Sequence, residues 1–335
     1  MTSEQMAWLI RRHGIEMTHL SHGSHIGSVL SAADIIAVLY TEALRFDANN
    51  PLWEQRDRFI LSKGHASAAL YAALAESGFF PVGELTTHDA NGSRLSGHAS
   101  HFVPGVEVST GSLGHGLSLG AGMAYAAKKD GKTDHRVFVV MSDGECDEGS
   151  VWETALFANH FRLNNLVAVI DCNYLQGLDF TGNTLELGDL AAKWRAFGWR
   201  VIETDGNDHE KLKAAFRQAE ANGLLEPHKP TVLVASTIKG FGVSFMQNNV
   251  LWHYRFPHDG WEYDRAVTEL HSAMPGGVTD PYTPEGIKNP VDPKTDDDLG
   301  SDHTLTAAWK PRYQELMRRV EAKAGSNEQP HRVKA

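Results

Sequence analysis

Arg136-Val-Phe-Val-Val-Met-Ser-Asp-Gly-Glu145 and, thirty residues after Asp143, Asp171-Cys-Asn-Tyr-Leu175 bracket the segment that decides the fold. Residues 136–141 form a short, β-rich apolar run bounded like a buried strand. Residues 149–163 carry Val151, Trp152, Ala155, Leu156, Ala158 and Phe161 at helical spacing. Asn164-Asn165 then breaks the helix, and Leu166-Val-Ala-Val-Ile170 reads as a second buried strand. Such a βαβ unit has parallel strands, so Asp143 and Asn173 leave the carboxyl ends of neighbouring strands on one edge of the sheet. Open α/β sheets bind their ligands at that edge.

Asp-Gly alone is only a turn signal. The paired strand ends and the spacing favour a pocket for a divalent metal and a diphosphate. A carboxylate, a side-chain amide and a backbone carbonyl are hard oxygen ligands suited to Mg²⁺ or Ca²⁺, with phosphate oxygens completing the shell. Gly144 lets backbone approach a phosphate with no Cβ in the way.

Strands and helices alternate along the rest of the chain. Helices are expected over residues 3–14, 66–77, 116–129 and 210–221. Ser31 is expected to cap a helix running through residues 39–44. Further strands are expected at 201–202 and 231–235. The fold expected is α/β, a doubly wound, mainly parallel sheet with helices on both faces. Residues 116–129 repeat small side chains that can pack tightly on the sheet or line a cleft. Composition shifts near Pro275. Residues 1–274 are read as one domain. Residues 275–335 are read as a Pro-, Gly- and Asp-rich extension, extended or mobile, with one helix over 305–322 and a disordered end.

The 335 residues are 41% apolar and 22% charged, as in a soluble globular protein. A net charge of -11 argues against a general attraction to nucleic acid or anionic membranes. No apolar run approaches the roughly 18 residues of a membrane span, and the start of the chain lacks the pattern of a secretory signal. A cytoplasmic location is expected. Cys146 and Cys172 make no disulfide framework, and a hard cation does not want thiolates, so both are expected reduced and passive. Gly131-Lys132-Thr133 fails as a P-loop because Ala126 stands where glycine is required, and His209-Glu210 lacks the second histidine of a zinc helix. Of eighteen histidines, His25, His65, His98, His115 and His253 fall in loops at the ligand edge, where imidazole can hydrogen-bond and move protons near neutral pH.

The run from Asp143 to Asn173 closely resembles the thiamine-diphosphate motif of transketolases, Gly-Asp-Gly, about thirty residues, then Asn. The resemblance extends over residues 14 to about 274. It takes in Leu30-Ser-Ala-Ala-Asp34, Asp57-Arg-Phe-Ile-Leu-Ser-Lys-Gly-His65, Ser96-Gly-His98, Glu107-Val-Ser-Thr-Gly-Ser-Leu-Gly114, Trp194-Arg-Ala-Phe-Gly-Trp199 and Lys239-Gly-Phe-Gly-Val-Ser-Phe245. It implies thiamine diphosphate and Mg²⁺ as cofactors, with Ca²⁺ or Mn²⁺ able to substitute. Asp143, Asn173 and the carbonyl of Leu175 match the metal ligands, and Gly144 matches a backbone contact to the diphosphate. Gly111 and Leu113 match backbone contacts to the aminopyrimidine ring. His25 and His98 match substrate-contacting histidines, His65 one that contacts diphosphate and substrate, and His253 one near the diphosphate. Glu148 matches a glutamate across the subunit boundary from the catalytic one.

The chain departs from the family pattern at Ser142, Ser24, Ile26 and His115. These changes surround the pocket and bear on the substrate more than on the cofactor. The resemblance also covers only the diphosphate-binding half of a transketolase. It therefore implies an N-terminal subunit, inactive alone, with a separate subunit that carries the pyrimidine domain and catalytic glutamate, in an α₂β₂ assembly. The activity implied is transfer of a two-carbon ketol unit from a ketose to an aldose. Alternatives are a split transketolase specialised for an unusual sugar, the thiamine subunit of a 2-oxo acid dehydrogenase, and a non-catalytic scaffold.

Overall fold

Five parallel strands carry the site: β1 (Arg58–Leu61), β2 (Val137–Ser142), β3 (Leu166–Cys172), β4 (Arg200–Asp205) and β5 (Thr231–Ser236), in the order β1-β2-β3-β5-β4. The structure is a computed structural model describing residues 1–131, 135–225 and 228–282. The expected helix over 305–322 and the disordered end lie outside the described residues.

Successive strand residues alternate between the two faces. Phe138, Val140, Val167, Val169, Leu233 and Ala235 enter one core, while Val137, Val139, Met141, Leu166, Ala168 and Ile170 enter the other. The first core is covered by α1 (Ser3–Ser21), α2 (Ile26–Val38), α3 (Ser67–Glu76), α8 (His209–Leu225) and α9 (Trp261–Ser272). The second is covered by α4 (Gly116–Lys129), α5 (Gly149–His160) and α7 (Leu190–Ala196), with the single turn α6 (Thr181–Thr184) before α7. Both faces of the sheet are buried, which is why β2 and β3 read as continuous apolar runs. The expected doubly wound α/β fold is the fold found.

Several local expectations are corrected. Ser31 caps nothing: α2 already begins at Ile26, after His25 turns through a left-handed conformation (φ 76°) with its backbone N–H on His253 O. Ser31 lies inside that helix, and its hydroxyl points into the sheet towards Asp171. β1 is a strand that sequence periodicity does not single out, because four residues are too few to show a period. Helix α1 runs a further seven residues, to Ser21. The stretch Ile26–Ala43 does reach the length and hydropathy of a membrane span, but 83% of it is buried inside the protein, as a core helix between sheet and outer helices.

The opening of the extension is anchored. Gln5 Nε2 donates to Gly276 O (2.8 Å), Arg12 Nε meets Asp280 Oδ2 (3.0 Å), and His13 Nδ1 meets the Tyr282 hydroxyl (2.6 Å). These contacts fasten residues 276–282 to α1.

The small residues of α4 divide into two kinds. A Cβ on Gly120 would stand 2.5 Å from Val139 Cγ2, whereas one on Gly122 would meet nothing within 4 Å. Gly120→Ala should therefore cost about 1–3 kcal/mol by overpacking. Gly122→Ala should add about 0.5–1 kcal/mol through helix propensity. Urea midpoints of the two variants against the parent chain check both signs.

Candidate functional site

β2 and β3 are paired in register, Ser142 opposite Asp171, so Asp143 and Asn173 emerge side by side. Asp143 is 1% exposed; Oδ1 accepts from Gly144 N–H (2.8 Å) and Oδ2 from Tyr174 N–H (2.5 Å). Burial and the nearby Asp171 carboxylate push its pKa up to about 6. Tyr174 takes a left-handed turn (φ 61°), and Leu175 N–H closes onto Asn173 Oδ1 (3.1 Å). Asn173 Nδ2 donates to Ser31 Oγ (3.0 Å), which fixes which end of the amide faces the turn.

A buried network lies beneath. Asp171 accepts from Lys63 Nζ (2.5 Å) and Ser31 Oγ (2.7 Å), and from the Thr237 hydroxyl. On the far side Lys239, 1% exposed, lies 3.2 Å from Leu175 O and 2.7 Å from His253 Nδ1. Burial and Lys63 lower its pKa to about 7.

The donor set fits a hard cation. Carboxylate, amide and carbonyl come from two adjoining strand ends, and the buried Asp143 carboxyl has the raised pKa of a group short of positive charge. An ammonium group already lies against the Leu175 carbonyl. Among the described residues no cluster of three or more His, Cys, Asp or Glu could hold a metal, and the oxygen donors at this turn are one carboxylate, one amide and one carbonyl. Cys146 and Cys172 are buried, unpaired and raised in pKa by burial. Neither is poised as a thiolate.

Four histidines converge beside this turn. The His25 ring lies 5.0 Å from His65, 5.7 Å from His98 and 4.9 Å from His253, centroid to centroid. Burial, reinforced by neighbouring histidines and lysines, drives His25 down to about 4 and His65 and His253 well below the usual range. These three rings are neutral at pH 7 and act through hydrogen bonds. His25, His65 and His98 line a cavity of about 290 Å³, together with Ser24, His88 and Asp89. His25 Nδ1 is buried and has no hydrogen-bond partner among the described residues, as expected of a group meant for a ligand.

The Gly111–Gly114 loop packs on the same cavity: a Cβ on Gly111 would stand 2.9 Å from His98 Cδ2. Glu145, fully buried, steadies it by accepting from Gly114 N–H (2.8 Å), Ser142 N–H (3.2 Å) and the Ser62 hydroxyl. Leu113 lies in this loop, and its carbonyl is 3.1 Å from Nδ1 of the exposed His115. Glu148, exposed at the start of α5, packs against this loop: a Cβ on Gly114 would stand 2.7 Å from Glu148 Cβ. Motif spacing assigns no role to Lys63, Asp171, Ser31, Glu145 or His88. For Lys63 and Lys239 a signal exists in the sequence: a lysine within an otherwise apolar or glycine-rich stretch.

A family model described as transketolase, thiamine diphosphate binding domain, matches residues 2–328. The chain belongs to the transketolase family. The matched domain is the one that binds thiamine diphosphate. The chain is 41% identical over 260 residues to an apulose-4-phosphate transketolase subunit of Phocaeicola vulgatus, covering 78% of this chain and 90% of that protein. It is 38% identical over 270 residues to the 6-deoxy-6-sulfo-D-fructose transketolase subunit of a Clostridium species, covering 80% and 95%. The solved transketolase of Leishmania mexicana superposes with a TM-score of 0.74 at 27% identity, covering 97% of this chain and 48% of that one. The chain thus spans about half of that transketolase and nearly all of the two shorter relatives.

The neutral histidines set a pH dependence. Between the ordinary histidine pKa of about 6.5 and the folded value of about 4 for His25, the unfolded chain binds a proton that the folded chain does not. Stability should therefore fall as pH drops through that window. Asp143, raised from 3.8 to about 6, works in the opposite sense. Four lowered histidines (His25, His65, His88 and His253) against three raised carboxyls (Asp143, Glu145 and Asp147) leave the net slope positive with pH. Urea unfolding from pH 6.5 to 4.5 should show this loss, and His25→Gln should flatten it.

Proposed function

We propose that this chain is the diphosphate-binding subunit of a two-chain transketolase, which moves a two-carbon ketol unit from a ketose, usually phosphorylated, to an aldose. The observation that carries this reading is the set of four converging histidines beside an all-oxygen turn at the carboxyl edge of the sheet. Asp143, Asn173 and the Leu175 carbonyl would hold Mg²⁺, and Gly144 would let backbone reach the diphosphate. Gly111 and Leu113 would meet the aminopyrimidine ring. Thiamine diphosphate, when bound, supplies the carbon nucleophile and electron sink for breaking the ketose C–C bond. His65 and His253 would face diphosphate oxygens. The rings of His25, His65 and His98 can each accept or donate a proton at the sugar oxygens as charge shifts between them.

A partner carrying the pyrimidine domain and the catalytic glutamate would complete the site, in an α₂β₂ assembly. Support comes from relatives that are themselves named as transketolase subunits. It comes also from exposed apolar side chains on one side of the second core, Leu119 on α4, Leu156 and Phe157 on α5 and Phe161 just after it. Glu148 would then work across a subunit boundary. Two unpaired cysteines fit a reducing compartment, and we propose the cytoplasm.

A narrower reading is that the donor is an uncommon sugar. The apulose-4-phosphate and sulfofructose names of two relatives favour it, as do two departures from the family pattern, Ile26 beside His25 and His115 after the Gly111–Gly114 loop.

Mild purification from the source cells, with native mass measurement, should recover two copies each of this chain and a pyrimidine-domain chain, active in ketol transfer. Recovery of this chain alone as a homo-oligomer would count against the two-chain enzyme, and pyruvate decarboxylation would redirect it to 2-oxo acids. In the assembled complex with Mg²⁺, calorimetry should find thiamine diphosphate binding lost in Asp143→Ala. Ser31→Ala, which releases the Asn173 amide, should weaken it about 10- to 100-fold. Unchanged affinity in Asp143→Ala would remove the metal assignment.

A further inference from the structure

His88 lines the cavity shared by His25, His65 and His98 but belongs to none of the motifs above. The ring is 5% exposed, and its Nδ1 lies 3.2 Å from Ser21 Oγ. The one hydroxyl proton of Ser21 is committed to Met17 O at 2.7 Å. Ser21 Oγ can then only accept, so the imidazole proton sits on Nδ1 and Nε2 is a bare lone pair. Burial lowers the pKa to about 4, so the ring stays neutral. Nε2 is buried with no partner among the described residues. A buried acceptor without a donor costs free energy unless a ligand supplies one.

The adjoining Asp89 lines the same cavity and is held in a left-handed turn (φ 55°). Its own N–H donates to Leu95 O (2.7 Å), and its Oδ1 accepts from Gly97 N–H (3.2 Å). Its carboxylate is a second acceptor, and a charged one. A sugar hydroxyl can donate to either group, whereas an ionised phosphate or sulfonate offers only acceptor oxygens and negative charge.

We propose that His88 and Asp89 form a hydroxyl-reading wall of the substrate cavity: His88 Nε2 accepts a hydrogen bond from a hydroxyl on the uncharged carbon chain of the sugar, and any phosphate or sulfonate group is held elsewhere. This inference rests on the transketolase reading and adds a specificity-determining residue to it.

The test uses the chain assembled with its pyrimidine-domain partner. Hydroxypyruvate serves as donor, with glycolaldehyde or D-erythrose as acceptor. Glycolaldehyde has one hydroxyl and is too short to span the cavity. In His88→Leu the ratio of kcat/KM for erythrose to that for glycolaldehyde should fall about tenfold, the loss expected for one hydrogen bond. His88→Gln, whose amide oxygen is again an acceptor, should restore most of it. Should His88→Leu fail to fold, His88→Met makes the same contrast. An unchanged ratio, with both acceptors impaired alike or neither, would overturn the inference and leave the transketolase reading standing. An unmutated complex with no ketol transfer to either acceptor would overturn both.

Discussion

The Lys63–Asp171 ion pair is the interaction on which the site depends. Both side chains are buried, at 1% and 0% exposure, in the middle of the sheet edge. Asp171 belongs to β3, Lys63 follows β1, Ser31 is on α2 and Thr237 follows β5, so one carboxylate gathers four segments distant in sequence. Removing one partner from such a pair leaves a buried charge, at a cost of about 3–5 kcal/mol. The pair spends none of its geometry on a ligand. It holds Ser31, which holds Asn173, and it sets the height at which the ligand turn stands above the strands.

Glu145 acts similarly one layer away. It is a carboxyl group in the interior whose bonds all run to backbone N–H groups and one hydroxyl, and it locks the Gly111–Gly114 loop against the end of β2. Burial raises its pKa, and three hydrogen bonds offset part of that cost. Two buried carboxylates thus organise the two loops that close over the strand ends.

The sheet was legible in the sequence because both of its faces are buried and its central strands are unbroken apolar runs. The turn that carries Asp143 and Asn173 was legible because both follow those runs directly. β1 was hidden by its shortness, and the start of α2 by an unusual cap: a histidine in a left-handed turn, held by the carbonyl of another histidine over two hundred residues away. No local pattern encodes that contact. His25, His65, His98 and His253 stand out in the sequence, but only the fold shows that they meet. Ser31, Asp171 and His88 act through partners 66 to 142 residues away, and residues of such common types carry no local signal.

The neutrality of His25, His65, His88 and His253 has a consequence for recognition. Rings that carry no charge at pH 7 hold hydroxyls by direction and distance, and salt screens such contacts far less than it screens ion pairs. The two nearby lysines are already engaged by Asp171, Leu175 and His253. Under the proposed function this half of the enzyme grips the carbon chain and, with the Asp89 carboxylate on its cavity wall, turns a phosphate away. Attraction of that charge, with its sensitivity to ionic strength, falls to the companion polypeptide.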